Sequence, residues 1–328
     1  MLTGFDKNAV NQSLMKYGVI NVYKEAGMTS FQVVYRIRKL SGEKKIGHTG
    51  TLDPDATGVL PVCIGKATKL VDFLMDSDKQ YKACMIFGKK TDTQDTSGTV
   101  LEEMDDKTVR ERLKDPERIK EAFTRFTGTI EQLPPMYSAI KVDGVKLVDA
   151  ARKGREIARK KRPVTVYGFQ DITVSGLDKE EGPVRVTFTT NCSKGTYIRT
   201  LCEDIGGYLG VPSCMEQLER TRTSGLDLST AKTLSEIEAA KEEGSLESLI
   251  IPTDHFLLQY PELTVKDDAI RKLVYGNYLS EAEIETPSEP LSESVYRIYD
   301  NERNFYALYR FDKRDRKLKC DKMFIEEP

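Results

Sequence analysis

The stretch Gly47–Pro61, GHTGTLDPDATGVLP, decides how this chain is read. Glycines, threonines and Pro54 surround Asp53, a composition that describes backbone held in a tight, specific shape around one carboxylate. Pro54 pushes Asp53 away from helical geometry and stiffens the turn. A carboxylate fixed before substrate arrives suits a nucleophile or a general base. The plainer reading is an Asp-Pro turn in which the carboxylate bonds its own backbone. Asp55, two residues on, is an equal candidate by spacing alone. A phosphate-cradling loop has little support, because no Gly-Lys-Ser/Thr ending closes the segment and no helix directly follows it.

On either side of this loop the pattern is regular. Gly18–Tyr23 reads as a buried strand, and Ser30 stands where a helix N-cap belongs. Val33, Val34, Ile37 and Leu40 recur at helical spacing, with Gly42 as the expected C-terminal cap. Val59–Ile64 reads as a strand and Ala67–Met75 as an amphipathic helix. Tyr81–Phe87 is a further strand, ending in the polar loop GKKTDTQDTSG. Residues 105–126 read as surface helix broken near Pro116. Pro134 and Pro135 exclude regular structure in LPPMYSAIKVDG. Val184, Val186, Phe188, Thr190 and Cys192 alternate as a half-buried strand, and SKGT leads into a helix over Tyr197–Leu209. Strands and helices mix without strict alternation, which favours α+β over a doubly wound parallel sheet.

Composition narrows the function. The chain has 328 residues, 39% hydrophobic and 31% charged, long enough for one large domain and a smaller one. The residues 256–328, with short strands and turns such as ETPSEPLSES, are expected to form the smaller domain, and 1–255 the larger. No apolar run approaches the length of a membrane span, and the N-terminus MLTGFDKNAVNQSLMKYG lacks the core of a signal peptide, so a cytoplasmic protein is expected. Six scattered cysteines without a C-x-x-C pair and only two histidines argue against zinc or a disulfide framework. Carboxylates, hydroxyls, phenols and Arg/Lys, or a cofactor, must then carry the chemistry.

The net charge of −2 is unevenly spread. Residues 251–328 hold 12 Lys/Arg against 16 Asp/Glu, whereas residues 141–162 hold nine Lys/Arg against three Asp/Glu. That basic stretch, with Lys141, Arg152 and Lys153, is either a solvated helix face or a partner for phosphates. Tyr81 is either core packing or a ring that stacks on a base and offers a phenol. In NCSKGTYIRT, Lys194 sits at a helix start; Arg199, one turn in, is either a surface ion pair or the cation that keeps a catalytic carboxylate charged. TDTQDTSG superficially matches a calcium loop, but it lacks the third acidic position and the distal Glu, so it reads as an Asx-rich turn.

These segments are not independent. Lys24-x-x-Gly-Met-Thr-Ser30, GHTGTLDPDATGVLPVCIGKATKL, KQYKACMIFGKKTDTQDTSG, LPPMYSAIKVDG and SKGTYIRTL occur in the order in which the chain resembles the bacterial tRNA pseudouridine synthases of the TruB family. The likeness covers roughly residues 18–260. It implies the pseudouridine synthase fold, with a central, mostly antiparallel mixed sheet and a small PUA-like C-terminal domain. It also implies that Asp53, not Asp55, is catalytic, that Tyr81 stacks on the target base, and that Arg199 pairs with the catalytic carboxylate. His48 then helps hold unstacked loop nucleotides, and Tyr197 and Lys24 are further site residues. The basic segment, about 133–163, becomes the insertion that closes on RNA.

The implied reaction converts uridine 55 in the T arm of tRNA to pseudouridine, with the base flipped out of its stack. No cofactor, no metal and no protein partner is expected, and a monomer is. The chain departs from the family's pattern at Glu25-Ala26, where Pro commonly follows the lysine, and at Val148, where tyrosine is common. Rival readings are a non-catalytic RNA-binding or RNA-chaperone protein, and the guide-RNA-dependent relatives that work with partner proteins.

Overall fold

The structure is a computed structural model that describes residues 17–285 and 290–325. The N-terminal segment read for a signal peptide, apart from its last two residues, and part of the ETPSEPLSES turn lie outside the described residues. The chain forms two compact units, one of Met1–Pro54, Val59–Asp76 and Ser224–Pro328, the other of Asp55–Gly58 and Ser77–Thr223.

In the first unit the Gly18–Lys24 strand is apolar on both faces, with Val19, Ile20 and Val22 at most 1% exposed, as continuous hydrophobic strands in covered sheets are. It pairs antiparallel with Ile251–Pro252, while Ile46–His48 pairs antiparallel with Thr57–Ile64. The Ser30–Ser41 helix turns Val33, Val34 and Ile37 inward, and Gly42 ends it in the left-handed conformation, as its sequence predicts. The single helix expected over Ala67–Met75 is instead a 3-10 turn, Gly65–Leu70, followed by one short helix, Val71–Met75.

The C-terminal part of this unit is a five-stranded sheet in the order Glu262–Thr264, Val295–Tyr299, Phe305–Asp312, Lys317–Met323, Leu279–Ser280. The first pair is parallel and the others antiparallel. One face of it buries Ile298, Tyr306, Tyr309 and Leu318 against Ile270 and Leu273. A second cluster joins Phe305, Leu308 and Phe324 to Val19, Val59, Ala67 and Leu70. Each of these Val, Leu and Phe side chains contributes about 1.5–3 kcal/mol when fully buried, so the C-terminal sheet is fixed to the first strands by core, not by a linker.

The second unit is built on antiparallel strands. Arg185–Cys192 lies between Lys79–Phe87 and Arg162–Ser175, and Gly128–Gln132 forms the outer edge. Val184, Val186, Phe188, Thr190 and Cys192 are all buried, as their alternation predicts. Phe188 meets Phe123 and Phe169 edge-on, with centroids 5.2 and 5.5 Å away. Phe123 belongs to the Pro116–Arg125 helix, separated at Pro116 from Asp106–Leu113 and capped by Asp115. Among the strands without a counterpart in the sequence reading, the two longest are Arg162–Ser175 and Ser213–Thr223. The latter pairs antiparallel with Lys79–Phe87 and, through Glu219 and Arg220, parallel with Thr57 and Gly58. The resulting ten-stranded sheet is mixed and mostly antiparallel, so the fold is α+β as expected. Among the described residues no helix is long and apolar enough to cross a membrane.

Gly58 is where the parallel pairing becomes demanding. Its φ is +103°, and a Cβ there would stand 2.2 Å from the Arg220 carbonyl oxygen. Gly42, with φ +73°, has open space around it. Gly42→Ala should therefore cost about 1 kcal/mol in urea unfolding, and Gly58→Ala clearly more, because strain adds to a clash with backbone that cannot rotate away. Equal losses would contradict this packing.

Candidate active site

The loop that carries Asp53 is fastened on both sides. The Ser30–Ser41 helix is capped by Thr29, whose hydroxyl accepts from Gln32 N at 3.2 Å while its own N–H donates to Gln32 Oε1 at 2.7 Å. Ser30 was expected as the cap, and this is a correction: with Thr29 in that place, Ser30 is the first helical residue and its hydroxyl turns into the interior. Ser30 Oγ accepts from Leu52 N at 3.0 Å and donates to Leu52 O at 3.2 Å. On the other side Lys24 is fully buried, and its Nζ donates to Pro54 O at 2.8 Å and to Glu25 O at 2.9 Å. Gly27 N also donates to Pro54 O, at 3.1 Å.

The residues before and after Asp53 are thus both held, and Asp53 is half-buried while Asp55 is exposed. An ammonium taken out of water costs free energy unless polar groups meet it; here it meets carbonyl dipoles, one of which fixes the turn. Glu25, at one of the departures from the family pattern, takes part through its carbonyl, which any residue supplies. His48, half-buried, stands opposite Val62, and Thr49 N donates to Pro61 O at 3.1 Å. Lys24, His48 and Asp53 therefore belong to one unit and one loop system.

The second unit positions the other candidates. Tyr81, 9% exposed, lies on the Lys79–Phe87 strand with Thr190 and Arg220 as its cross-strand partners. Tyr197 precedes the Ile198–Leu209 helix; its N–H donates to Gln132 Oε1 at 2.8 Å and its carbonyl accepts from Gln132 Nε2 at 3.0 Å. Lys194 is exposed. Arg199 is 5% exposed, so it is no surface ion pair. It donates to Thr93 O at 2.8 Å and to Tyr137 O at 2.9 Å, with Asp95 Oδ2 at 3.8 Å from its guanidinium.

The Thr91–Gly98 segment is an Asx-rich turn, with Asp95 Oδ1 accepting from Thr93 Oγ1 at 2.7 Å and from Ser97 N at 3.0 Å. Tyr137 closes the circuit by donating to Asp92 at 3.1 Å. Sequence reasoning missed Asp95, Gln132 and Arg220. Arg220 is an arginine 1% exposed in mid-strand; the dense run LERTR was its only trace in the sequence.

The basic segment is a hairpin, Lys141–Val142 with Val145–Lys146, and a short helix, Leu147–Ala151. Leu147 and Ala150 are buried and Val148 is half-buried, while Lys141, Arg152 and Lys153 are exposed. Arg159 is the exception among the cations, donating to Pro134 O at 3.1 Å and to Glu156 at 3.0 Å. An exposed face with so many cations and few anions is suited to a phosphate backbone. Among the described residues, no group of three or more His, Cys, Asp or Glu could hold a metal ion. All six cysteines are free, and burial raises the thiols of Cys63 and Cys192 to about 12, so neither is a nucleophile at neutral pH.

Known proteins resemble this chain over most of its length. A model of the TruB family pseudouridylate synthase N-terminal domain matches residues 38–198, and a model of the tRNA pseudouridylate synthase B C-terminal domain matches residues 199–258. The tRNA pseudouridine synthase B of Limosilactobacillus reuteri (strain DSM 20016) is 42% identical over 307 residues, covering 94% of this chain and 98% of that protein. That of Lachnoclostridium phytofermentans (strain ATCC 700394 / DSM 18823 / ISDg) is 43% identical over 311 residues, covering 94% and 99%.

Among solved structures, a Cbf5-Nop10-Gar1 complex includes a chain 27% identical to this one, with a TM-score of 0.64 and coverage of 96% and 87%. An H/ACA RNP bound to a substrate RNA containing 2′-deoxyuridine gives a TM-score of 0.65 at 24% identity, with coverage of 97% and 88%, a likeness of fold alone. Fold and matched models together define a pseudouridine synthase, an isomerase. The chain belongs to the TruB family of tRNA pseudouridine synthases.

One group beside this scaffold is held against its preference. Asp204, on the Ile198–Leu209 helix, is raised to about 6, first by burial and then by Glu203, with Lys161 and Lys90 opposing. A carboxyl raised in the folded state binds more protons folded than unfolded between about pH 4 and 6, so its contribution to stability declines as pH rises through that window. Asp204→Asn should accordingly raise the melting temperature at pH 7.5, and the gain should shrink towards pH 4. A gain independent of pH would contradict burial of the charged form as its cause.

Proposed function

We propose that the chain isomerises uridine 55 in the T loop of tRNA to pseudouridine, with Asp53 as the catalytic carboxylate. The observation that carries this is the double fastening of the Asp53 turn by Ser30 on Leu52 and Lys24 on Pro54. It supports Asp53 over the exposed Asp55, because a carboxylate whose backbone is held before substrate arrives suits catalysis.

The reaction breaks the bond from C1′ to uracil N1 and forms one from C1′ to C5. N1 ends with a proton and C5 loses one, so atoms balance without oxidant, reductant or nucleotide. The ionised Asp53 acts on the ribose, by attack at C1′ or by removing a sugar proton; both begin from the same charged carboxylate. Arg199 supplies positive charge that favours that form in a dry site. Tyr81 stacks on the uracil and its phenol assists loss of the C5 proton. His48, Tyr197, Lys24 and Lys194 hold flipped nucleotides and phosphates, and Lys141, Arg152 and Lys153 clamp the stem-loop backbone. Residues 1–255 act as the catalytic domain and 256–328 as a small PUA-like domain. The enzyme works as a cytoplasmic monomer without cofactor or protein partner.

Asp53→Asn should abolish tritium release from tRNA carrying [5-³H]uridine while tRNA binding persists. Substantial turnover would refute the assignment, and the same loss from Asp55→Asn alone would redirect it. Arg199→Lys should also be severely impaired, since it forfeits the planar fork that reaches Thr93 O and Tyr137 O together; near-normal activity would remove Arg199 from the site.

A further inference from the structure

Four lysines of the first unit converge around one short turn. Lys45 precedes the Ile46–His48 strand, and its carbonyl accepts from Gly65 N at 2.8 Å, which sets it beside the 3-10 turn that carries Lys66 and Lys69. Lys322 lies near the end of the last strand, Lys317–Met323. Two of the four are cross-braced: Lys69 Nζ donates to Met323 O at 2.6 Å, and Lys322 Nζ donates to Lys69 O at 3.1 Å. These bonds go to neutral carbonyls and leave the charges uncompensated. Among the described residues none of the four takes part in an ion pair.

The repulsion is felt at Lys69, whose ammonium is held below its ordinary range, first by burial and then by Lys66, with Lys45 and Lys322 adding and Cys320 opposing. Exposed lysines ordinarily relax away from one another, because the side chain is long and flexible. These cannot separate far. The strand bearing Lys322 runs into Phe324, which is buried in the same core as Ala67 and Leu70 from the turn bearing Lys66 and Lys69.

We propose that Lys45, Lys66, Lys69 and Lys322 form a docking site for the phosphate backbone of the substrate RNA, distinct from the basic segment 141–162. The proposal rests on the reading that the substrate is tRNA. It gives the C-terminal domain a role that its acidic balance conceals: one lysine, fixed by core packing, completes a patch begun by the catalytic half. An anionic membrane fits less well, since a broad negative surface would also meet a C-terminal region holding 16 Asp/Glu against 12 Lys/Arg. A narrow phosphate strand meets the four lysines alone.

The test is the salt dependence of binding to an unmodified tRNA transcript, with Lys66→Glu, Lys322→Glu and the double variant. Each lost phosphate contact should flatten the plot of log Kd against log salt by roughly 0.7–0.9, and the double variant should bind about ten-fold more weakly at low salt. Lys66→Gln and Lys322→Gln should move both quantities the same way by less, which keeps the test valid if a charge reversal unfolds the protein. Unchanged Kd and slope in variants with the parent melting temperature would overturn the proposal. So would loss of binding to phosphatidylserine vesicles with tRNA affinity intact. Failure of the parent protein to bind tRNA at all would instead strike the tRNA reading on which the site rests.

Discussion

The turn at Asp53 depends on a buried lysine. Lys24 ends a fully covered strand, where an ammonium would ordinarily be expelled to water. It stays because Pro54 O and Glu25 O point at it, and the first of these is the carbonyl immediately after Asp53. Ser30 performs the matching task before it. Both holding groups come from elements made rigid by apolar packing, the first strand and the first helix. A hydrogen bond to a charged donor contributes about 1.5–3 kcal/mol net, more than its neutral counterparts. The loop can therefore be rich in glycine and still have one shape.

The second unit applies the same logic with a guanidinium. Arg199 is buried at the start of a helix, where it reaches the Thr93 and Tyr137 carbonyls and stands 3.8 Å from Asp95. Three remote segments, 91–98, 133–138 and the Ile198–Leu209 helix, are thereby referred to one side chain. Tyr137 is part of the PPMYS segment that leads into the basic hairpin, so the root of that hairpin is anchored although its cations face solvent. A rigid base with an exposed charged arm is what recognition of RNA by shape and phosphate position requires.

Much of this was legible in the sequence, and the failures have physical causes. The first strand, the Gly42 cap, the break at Pro116 and the alternating 184–192 strand could be read because periodicity and capping chemistry are local. Ser30 is a good cap by residue type, but Thr29 holds that place; Ser30 instead bonds Leu52, twenty-two residues away. The Ser213–Thr223 strand escaped because Glu216, Glu219, Arg220 and Arg222 hide its character; Glu216 is neutralised by Arg185, from a neighbouring part of the sheet. The 162–175 strand follows directly on the basic run and contains glycine. Asp53 and Asp55 are equivalent by spacing, and in the sequence only family likeness separates them. Asp95 was read correctly as part of an Asx turn but without Arg199, which lies more than a hundred residues later.

The central claim is that this scaffold presents one carboxylate to one uridine of tRNA without help from another macromolecule. It is tested most directly by incubating the purified protein alone with an unmodified tRNA transcript and mapping pseudouridine at nucleotide resolution. The account predicts a single new pseudouridine, at position 55 of the T loop. Modification at another position, or none until a guide RNA or partner protein is added, would contradict it.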